Sequence, residues 1–162
     1  RRSPGRAVAR VGAPVAAAAQ KPVVDRLPYN PAEYEALAKT GTGVVRGQLF
    51  ARQRGGNVIK GAGSAITLNP VTSSSQQWYN EALAGGVLSD QADPRYIAAI
   101  RSTRADADGR FEFKDVPPGN YFINGVVVWE APTQFGLTKQ GGMMIEKITV
   151  SNDKTTEVML TR

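Results

Sequence analysis

The sequence lacks the residue types that most often provide a nucleophile, a general base or a soft metal ligand. Its 162 residues include no cysteine and no histidine. Without cysteine, the chain can form neither a disulfide nor a thiolate metal site. Without histidine, it has neither the usual general base at neutral pH nor the commonest metal ligand. These absences predict a protein that is not an enzyme and that holds no cofactor and no metal.

Long apolar runs are also missing. No stretch of about 18 consecutive apolar residues is present, so the sequence predicts no helix that spans a bilayer. Residues 11–19 follow several arginines and contain Ala-x-Ala, as a secretory signal peptide would. Pro14 interrupts this segment and its apolar character is weak, so the likeness to a signal peptide is faint.

Basic residues are concentrated at the beginning of the chain. Residues 1–26 contain six basic residues and one acidic residue, whereas the other 136 residues contain 14 basic and 13 acidic ones. We therefore predict an extended basic N-terminal arm, residues 1–27, that binds an acidic protein face or anionic lipid headgroups. A solvated tail is the alternative, and nucleic acid is not expected because no aromatic residues interleave with the arginines. The predicted partner-binding residues of the arm are Arg1, Arg2, Arg6, Arg10, Lys21 and Arg26.

Residues 28–41 predict a short helix and a linker. Asn30 is a good N-cap, and Pro31 then occupies the first helical position. Tyr34 and Leu37 would share one helix face. The helix is expected to dock either on its own domain, which we favour, or on a partner.

Residues 42–162 show the period-two alternation of β-strands. In residues 44–52 the alternation places Val45, Leu49 and Ala51 on one face. Further strands are predicted at residues 64–69, 95–104, 110–114, 121–129, 143–150 and 155–160.

The stretch from residue 106 to residue 123 is the strongest β signal in the chain. An Asp-Ala-Asp-Gly turn precedes a strand in which Phe111 and Phe113 lie on the same face. A Pro-Pro-Gly turn then leads to Tyr121, which opens the next strand. We predict a central hairpin whose three aromatic side chains anchor the core.

The pattern D-G-x-F-x-F-x-D-V-P-P-G-x-Y in this stretch resembles the carboxypeptidase regulatory-like domain, and the resemblance extends over about residues 43–160. That family implies an all-β fold, here a seven- or eight-stranded antiparallel transthyretin-like sandwich. The resemblance also implies a non-catalytic module of a bacterial envelope protein. The zinc peptidase from which the family takes its name has no counterpart in this sequence.

Two segments are longer than the connections between the strands of a sandwich need to be. Residues 71–94 predict an insertion with a short helix at residues 76–84, which carries Trp78 and Tyr79. Residues 130–142 predict a polar loop in which Phe135 and Leu137 are apolar and suited to an interface. We take these four residues as partner-binding residues. The alternative for Trp78 is that it covers one end of the core.

Sequence motifs for metal binding or catalysis are weak. Asp106-x-Asp108-Gly109 matches only the start of a calcium loop, and a plain turn is the favoured interpretation. The serines at residues 73–75 have no histidine that could activate them.

Two functional hypotheses follow. The first is a non-catalytic structural accessory subunit of a bacterial cell-envelope membrane protein complex, whether secretory, respiratory or photosynthetic. It would lie in the periplasm or on the outer face of the envelope, peripheral to a membrane, and would dock on other subunits through its arm and sandwich loops. The alternative is a carbohydrate- or peptide-binding module that uses the loop aromatics Trp78, Tyr79 and Phe135.

Overall fold

The computed structural model describes residues 21–89 and 91–162. Within these ranges the chain forms three short helices and ten strands, and most of the strands belong to two four-stranded sheets. Arg1, Arg2, Arg6 and Arg10 of the predicted arm lie outside the described residues. The first sheet contains β2 (Gly43–Arg52), β3 (Val58–Lys60), β7 (Arg110–Val116) and β10 (Thr155–Thr161). The second contains β4 (Ala65–Pro70), β6 (Arg101–Arg104), β8 (Gly119–Thr133) and β9 (Gly136–Val150).

The two sheets enclose one apolar core. Val45 and Leu49 on β2 are fully buried against a cluster that includes Ile66 on β4 and Ile123 on β8. This packing confirms the mostly-β, two-sheet architecture. The three aromatic residues of the strongest β signal all belong to the cluster, namely Phe111, Phe113 and Tyr121.

The prediction of purely antiparallel pairing is wrong for the first sheet. β10 pairs with β2 in parallel, in the register from Thr155↔Val44 to Thr161↔Phe50. The chain reaches β10 from β9 of the other sheet through a short turn at residues 151–154. Strand direction depends on this crossing between sheets, which the alternation of residues within one strand does not encode.

The predicted central hairpin is also wrong. β7 pairs with β2 in the first sheet, whereas β8 pairs with β4 and β9 in the second sheet. The corner between them contains Pro117 and Pro118, which have no N–H to donate to a hairpin ladder. The Tyr121 hydroxyl donates to the Pro117 carbonyl oxygen at 2.8 Å and fixes the corner.

The first helix, α1 (Pro31–Glu35), is shorter than predicted but begins as expected. The Asn30 side chain accepts from the Ala32 N–H at 3.2 Å. Tyr34 is buried and shares a 3.0 Å hydrogen bond with Thr72. The helix therefore docks on its own domain.

The predicted insertion contains α2 (Ser73–Ala84), which begins at a capping box formed by Thr72 and Ser75. A two-residue strand, β5 (Val87–Leu88), follows it. β5 pairs in parallel with β1 (Val23–Val24), so the last residues of the predicted arm contact the insertion.

The strand predicted at residues 95–104 is wrong in its first half, where α3 (Pro94–Ala98) precedes β6. Asp93 caps this helix by accepting from the Arg95 N–H at 2.8 Å, and Pro94 occupies its first turn. An N-cap acid followed by proline is a helix start signal, and it outweighs the apparent alternation that follows.

The polar loop predicted at residues 130–142 is instead the end of a long hairpin. β4 pairs with β8 only as far as Gly125, while β8 and β9 continue to pair with each other up to Thr133↔Gly136. Phe135 lies in the turn and Leu137 on β9, and both are exposed. Within the described ranges, every helix is too short or too polar to cross a bilayer.

Candidate functional site

The outer face of the second sheet is covered by helix α2. Phe122 on β8 points away from the core, yet it is fully buried, because Tyr79 stacks on it with ring centroids 4.4 Å apart. Trp78 meets the same ring edge-on at 6.5 Å. Ser75 anchors the helix by donating to the Pro70 carbonyl oxygen at 2.7 Å. Trp78 therefore packs on the outer face of the second sheet and not over an end of the core, which was the alternative for this residue.

A small recess lies between this helix, helix α3 and the sheet. Its volume is about 180 Å³. Trp78 and Tyr96 line it from the two helices, while Thr67, Asn69 and Asn124 line it from the sheet. The remaining lining residues are Arg26, Ile97 and Ile100.

A larger cleft of about 540 Å³ adjoins the recess and shares Arg26 and Tyr96 with it. Its walls come from the segment that precedes α1, from α2 and from the approach to α3. Its polar lining includes two side-chain amides, three hydroxyls, a carboxylate and two guanidinium groups. The other residues that line it are Leu27, Pro28, Tyr29, Ser74, Gln77, Gln91, Ala92, Asp93, Pro94 and Arg95.

Asn69 is the most unusual polar residue of the recess. It is 3% exposed, and its amide nitrogen donates to the Tyr96 hydroxyl at 2.9 Å. Its carbonyl oxygen is buried and has no hydrogen-bond partner among the described residues. Burial raises the pKa of the Tyr96 phenol, although the hydrogen bond from Asn69 works in the opposite direction. A buried amide oxygen without a donor is rare, because it forgoes the hydrogen bonds that it would make in water.

Arg26 lies where the recess meets the cleft. Its Nε donates to the Ser89 carbonyl oxygen at 2.6 Å, which fixes the direction of the guanidinium group. The next residue, Leu27, donates its N–H to the Gln77 side chain at 2.9 Å. Gln77 in turn donates to the Asp25 carbonyl oxygen at 2.9 Å, so α2 fixes the segment on both sides of Arg26.

Arg95 forms the opposite side of the cleft, and its charge is neutralised. Its Nε and Nη2 donate to the two carboxylate oxygens of Asp93 at 3.0 and 2.9 Å. Its guanidinium carbon also lies 4.0 Å from the centroid of the Tyr29 ring. The hydrogen bonds from Arg95 hold the pKa of Asp93 below its usual value.

The predicted site residues that the structure describes lie in three places. The structure brings Arg26 and Trp78 together at the recess, with Tyr79 behind them on Phe122. Lys21 is exposed and lies beside Gly85 at the end of α2. Phe135 and Leu137 lie at the far end of the hairpin, separated from Phe122 along β8 by roughly 35–40 Å of extended chain.

Sequence reasoning missed Asn69, Tyr96, Thr67 and Asn124. The Asp93-Pro94 pair was the available signal for Tyr96, because a helix there turns Tyr96 towards the sheet. The polar residues Thr67 and Asn69 alternate with buried Ile66 and Leu68, and such a pattern ordinarily indicates a solvated face. Only the packing of the helices shows that this face is covered.

The Asp106 side chain stabilises its own turn. Asp106 accepts hydrogen bonds from the N–H groups of Asp108 and Arg110 at 2.8 and 2.9 Å. Asp108 instead forms a salt bridge with Lys60 at 2.5 Å, which lowers its pKa. Residues 21–89 and 91–162 contain no cluster of three or more acidic side chains that could hold a metal ion.

The fold and the recess define a two-sheet, mostly-β domain with a polar, aromatic-lined cavity on its outer face. One solved structure that resembles it is the crystal structure of a proposed carbohydrate-binding protein from Pseudomonas aeruginosa. The two share 30% sequence identity and superpose with a TM-score of 0.77, over 85% of this chain and 100% of the other. The chain therefore belongs to the same family as that Pseudomonas aeruginosa protein. No protein-family model matches the chain, and no curated protein is significantly similar to it.

Proposed function

We propose that the protein is a carbohydrate-binding module and that the recess is its sugar site. The observation that carries this proposal is the unpartnered carbonyl oxygen of Asn69, buried in the wall of a cavity that Trp78 also lines. A sugar hydroxyl can supply the missing donor after a small movement of the amide. The apolar face of a sugar ring packs well on an aromatic side chain.

The size of the recess agrees with one sugar ring. Its volume of about 180 Å³ slightly exceeds the roughly 150 Å³ of a protein cavity that accommodates benzene. The cleft of about 540 Å³ beside it provides room for further units of a chain. Its amide, hydroxyl and carboxylate groups are those that exchange hydrogen bonds with sugar hydroxyls.

Family membership supports the same function, because the Pseudomonas aeruginosa relative is itself described as a proposed carbohydrate-binding protein. A peptide is the weaker candidate for the recess. Peptide recognition usually uses a sheet edge or a long groove, whereas the recess lies on the covered outer face of the second sheet.

The finer fold assignment is also a proposal. We propose that the two sheets form a transthyretin-like sandwich of the carboxypeptidase regulatory-like type. The D-G-x-F-x-F-x-D-V-P-P-G-x-Y pattern supports this proposal, since it coincides with β7, the proline corner and the start of β8. The absence of cysteine and histidine from the sequence supports a non-catalytic role.

A second candidate function is the accessory subunit of an envelope complex. It is favoured by the hairpin tip, where Phe135 is 89% exposed and Leu137 is 69% exposed. The N-terminal arm, the envelope location and the protein or lipid partners stay predictions. Replacing both Phe135 and Leu137 with Ser should leave the fold intact and release the protein from membranes of its host; unchanged retention would remove this candidate.

The sugar site is tested by comparing two variants of the same helix. Trp78→Ala and Tyr79→Ala each remove one ring from Phe122, but only Trp78 lines the recess. Binding of neutral and acidic oligosaccharides is measured by titration calorimetry. We expect Trp78→Ala to weaken binding by roughly tenfold or more, the equivalent of about 1.4 kcal/mol, and Tyr79→Ala to retain it. If the wild-type protein binds no oligosaccharide, the proposed function is wrong.

A further inference from the structure

The recess is lined by a cation that no carboxylate in its lining balances. The described residues that line the recess include one cation, Arg26, and no carboxylate. In the cleft, the charge of Arg95 is already matched by Asp93. Arg26 forms no salt bridge within residues 21–89 and 91–162, and of its guanidinium nitrogens only Nε donates a hydrogen bond there. Because Arg26 lines both cavities, it is the one cation among their described lining residues that no carboxylate matches, and it places a positive charge where the recess meets the cleft.

The guanidinium group is also fixed in position. β1 pairs with β5 just before Arg26, and the backbone N–H of Arg26 lies 3.4 Å from the Ser89 hydroxyl. The 2.6 Å hydrogen bond from Nε to the Ser89 carbonyl oxygen then orients the rest of the planar guanidinium group. An arginine held in this way loses little side-chain freedom when it binds an anion. The planar fork matches a carboxylate, with which it forms two parallel hydrogen bonds.

Neutral hydrogen-bonding groups lie on the floor of the same recess. Thr67 donates to the Asn124 side-chain oxygen. Among the described residues, the only acceptor of the Asn124 amide nitrogen is the Met143 sulfur, at 3.6 Å. Thioether sulfur is a weak acceptor, so this amide remains able to donate to a hydroxyl. Asn69 supplies the complementary acceptor through its unpartnered oxygen.

We propose that the recess takes an acidic sugar, a hexuronate unit of an anionic polysaccharide. The sugar carboxylate pairs with Arg26, its hydroxyls bond to Asn69 and Asn124, and its apolar face lies on Trp78. This inference rests on the proposed function and narrows it to one substrate class.

The test uses the full chain and two ligands that differ in one group. Tri-galacturonate carries the carboxylate, and a galactose trisaccharide of the same linkage does not. We expect tri-galacturonate to bind roughly ten- to a hundredfold more tightly, because one charge-assisted pair contributes about that much. Raising sodium chloride from about 50 mM to about 500 mM should weaken the binding of tri-galacturonate and leave that of the neutral trisaccharide unchanged, since salt screens the ion pair.

Arg26→Gln should bring the ratio of the two binding constants, tri-galacturonate over the galactose trisaccharide, close to one. Arg46→Gln is the matched control, because it removes the same charge on β2 of the other sheet, where Arg46 pairs with Glu157. Arg26→Lys keeps the charge but loses the planar guanidinium group that can form two parallel hydrogen bonds. We expect its preference for tri-galacturonate to lie between those of the wild-type protein and Arg26→Gln. If Arg26→Gln does not fold, the salt dependence of the wild-type protein decides between the outcomes.

The results separate this inference from the proposed function. Equal binding of both trisaccharides with no salt dependence would overturn the uronate proposal and leave the sugar site standing. Binding of neither trisaccharide would overturn the uronate proposal, and the sugar site falls with it if no other neutral or acidic oligosaccharide binds. Binding to vesicles that contain phosphatidylglycerol, without binding to tri-galacturonate, would overturn the uronate proposal and would indicate that Arg26 serves a membrane surface.

Discussion

Asn69 on β4 and Tyr96 on α3 form a buried hydrogen bond of 2.9 Å that joins the outer face of the second sheet to the helix above it. The nitrogen of the Asn69 amide is satisfied by this bond, whereas its oxygen has no partner among the described residues. The pair thus fixes α3 on the sheet and leaves one acceptor in the recess wall. Under the proposed function, the same contact also positions the Asn69 oxygen as a binding group.

The first prediction concerns this pair. Tyr96→Phe should lower the free energy of unfolding by roughly 1–3 kcal/mol, because the buried Asn69 nitrogen loses its acceptor. Adding Asn69→Leu should recover part of that loss, since the unpaired amide is then removed. Chemical denaturation measures both variants. The cost of Asn69→Leu alone is measured as well. If the double variant loses as much free energy of unfolding as the two single variants together, the two side chains are not coupled.

The second prediction compares two phenylalanines. Phe113 is 6% exposed in the core, and Phe135 is 89% exposed at the hairpin tip. Phe113→Ala should cost roughly 3–5 kcal/mol through lost burial and a residual cavity, whereas Phe135→Ala should stay within about 0.5 kcal/mol. Equal costs in urea denaturation would show that the register of β7 is wrong.

The third prediction compares two glycines with similar backbone angles. Gly109 has a φ of 77° and Gly56 a φ of 88°. A Cβ atom at Gly109 would lie 2.4 Å from the Leu49 carbonyl oxygen, whereas one at Gly56 would meet nothing within 4 Å. Gly56→Ala should cost about 1–2 kcal/mol for the left-handed conformation alone. Gly109→Ala should cost clearly more, and equal melting temperatures would contradict the close approach of the Asp106 turn to β2.

The fourth prediction concerns alkaline pH. Burial raises the pKa of the Tyr121 phenol above its ordinary value of 10.0. The folded protein therefore retains this proton more tightly than the unfolded chain does. The associated stability is complete below about pH 10 and is lost as the pH rises through the raised pKa. Melting temperatures recorded from about pH 8 to about pH 11 should fall less steeply for Tyr121→Phe than for the wild-type protein. Parallel curves would contradict the assignment.

Local patterns in the sequence were sufficient for the core strands. The alternation at Phe111 and Phe113 correctly placed both rings on one face, because a period of two needs no information beyond the strand itself. The N-cap of α1 at Asn30 was equally local. Connections between sheets were not predictable in this way. The parallel entry of β10 and the crossing at Pro117 depend on which sheet each strand joins.

The site was only partly predictable for the same reason. Trp78 and Arg26 stood out by residue type, and the structure brings them together. Their neighbours Asn69 and Asn124 resemble ordinary solvent-facing residues of a strand until α2 and α3 cover them. Phe135 and Leu137 stood out equally well but lie at the opposite end of β8. Residue type identified candidates, whereas tertiary packing decided which of them share a site.

The proposed sugar site can be tested residue by residue if the isotopically labelled protein is titrated with tri-galacturonate and followed by nuclear magnetic resonance. The side-chain signals of Asn69 and Asn124 report on the sheet side of the recess, and that of Trp78 reports on its α2 side. The account predicts that these signals shift together and saturate with one binding constant, while the Trp129 indole signal near the hairpin stays unchanged. Unchanged Asn69 and Trp78 signals at saturating ligand would contradict it.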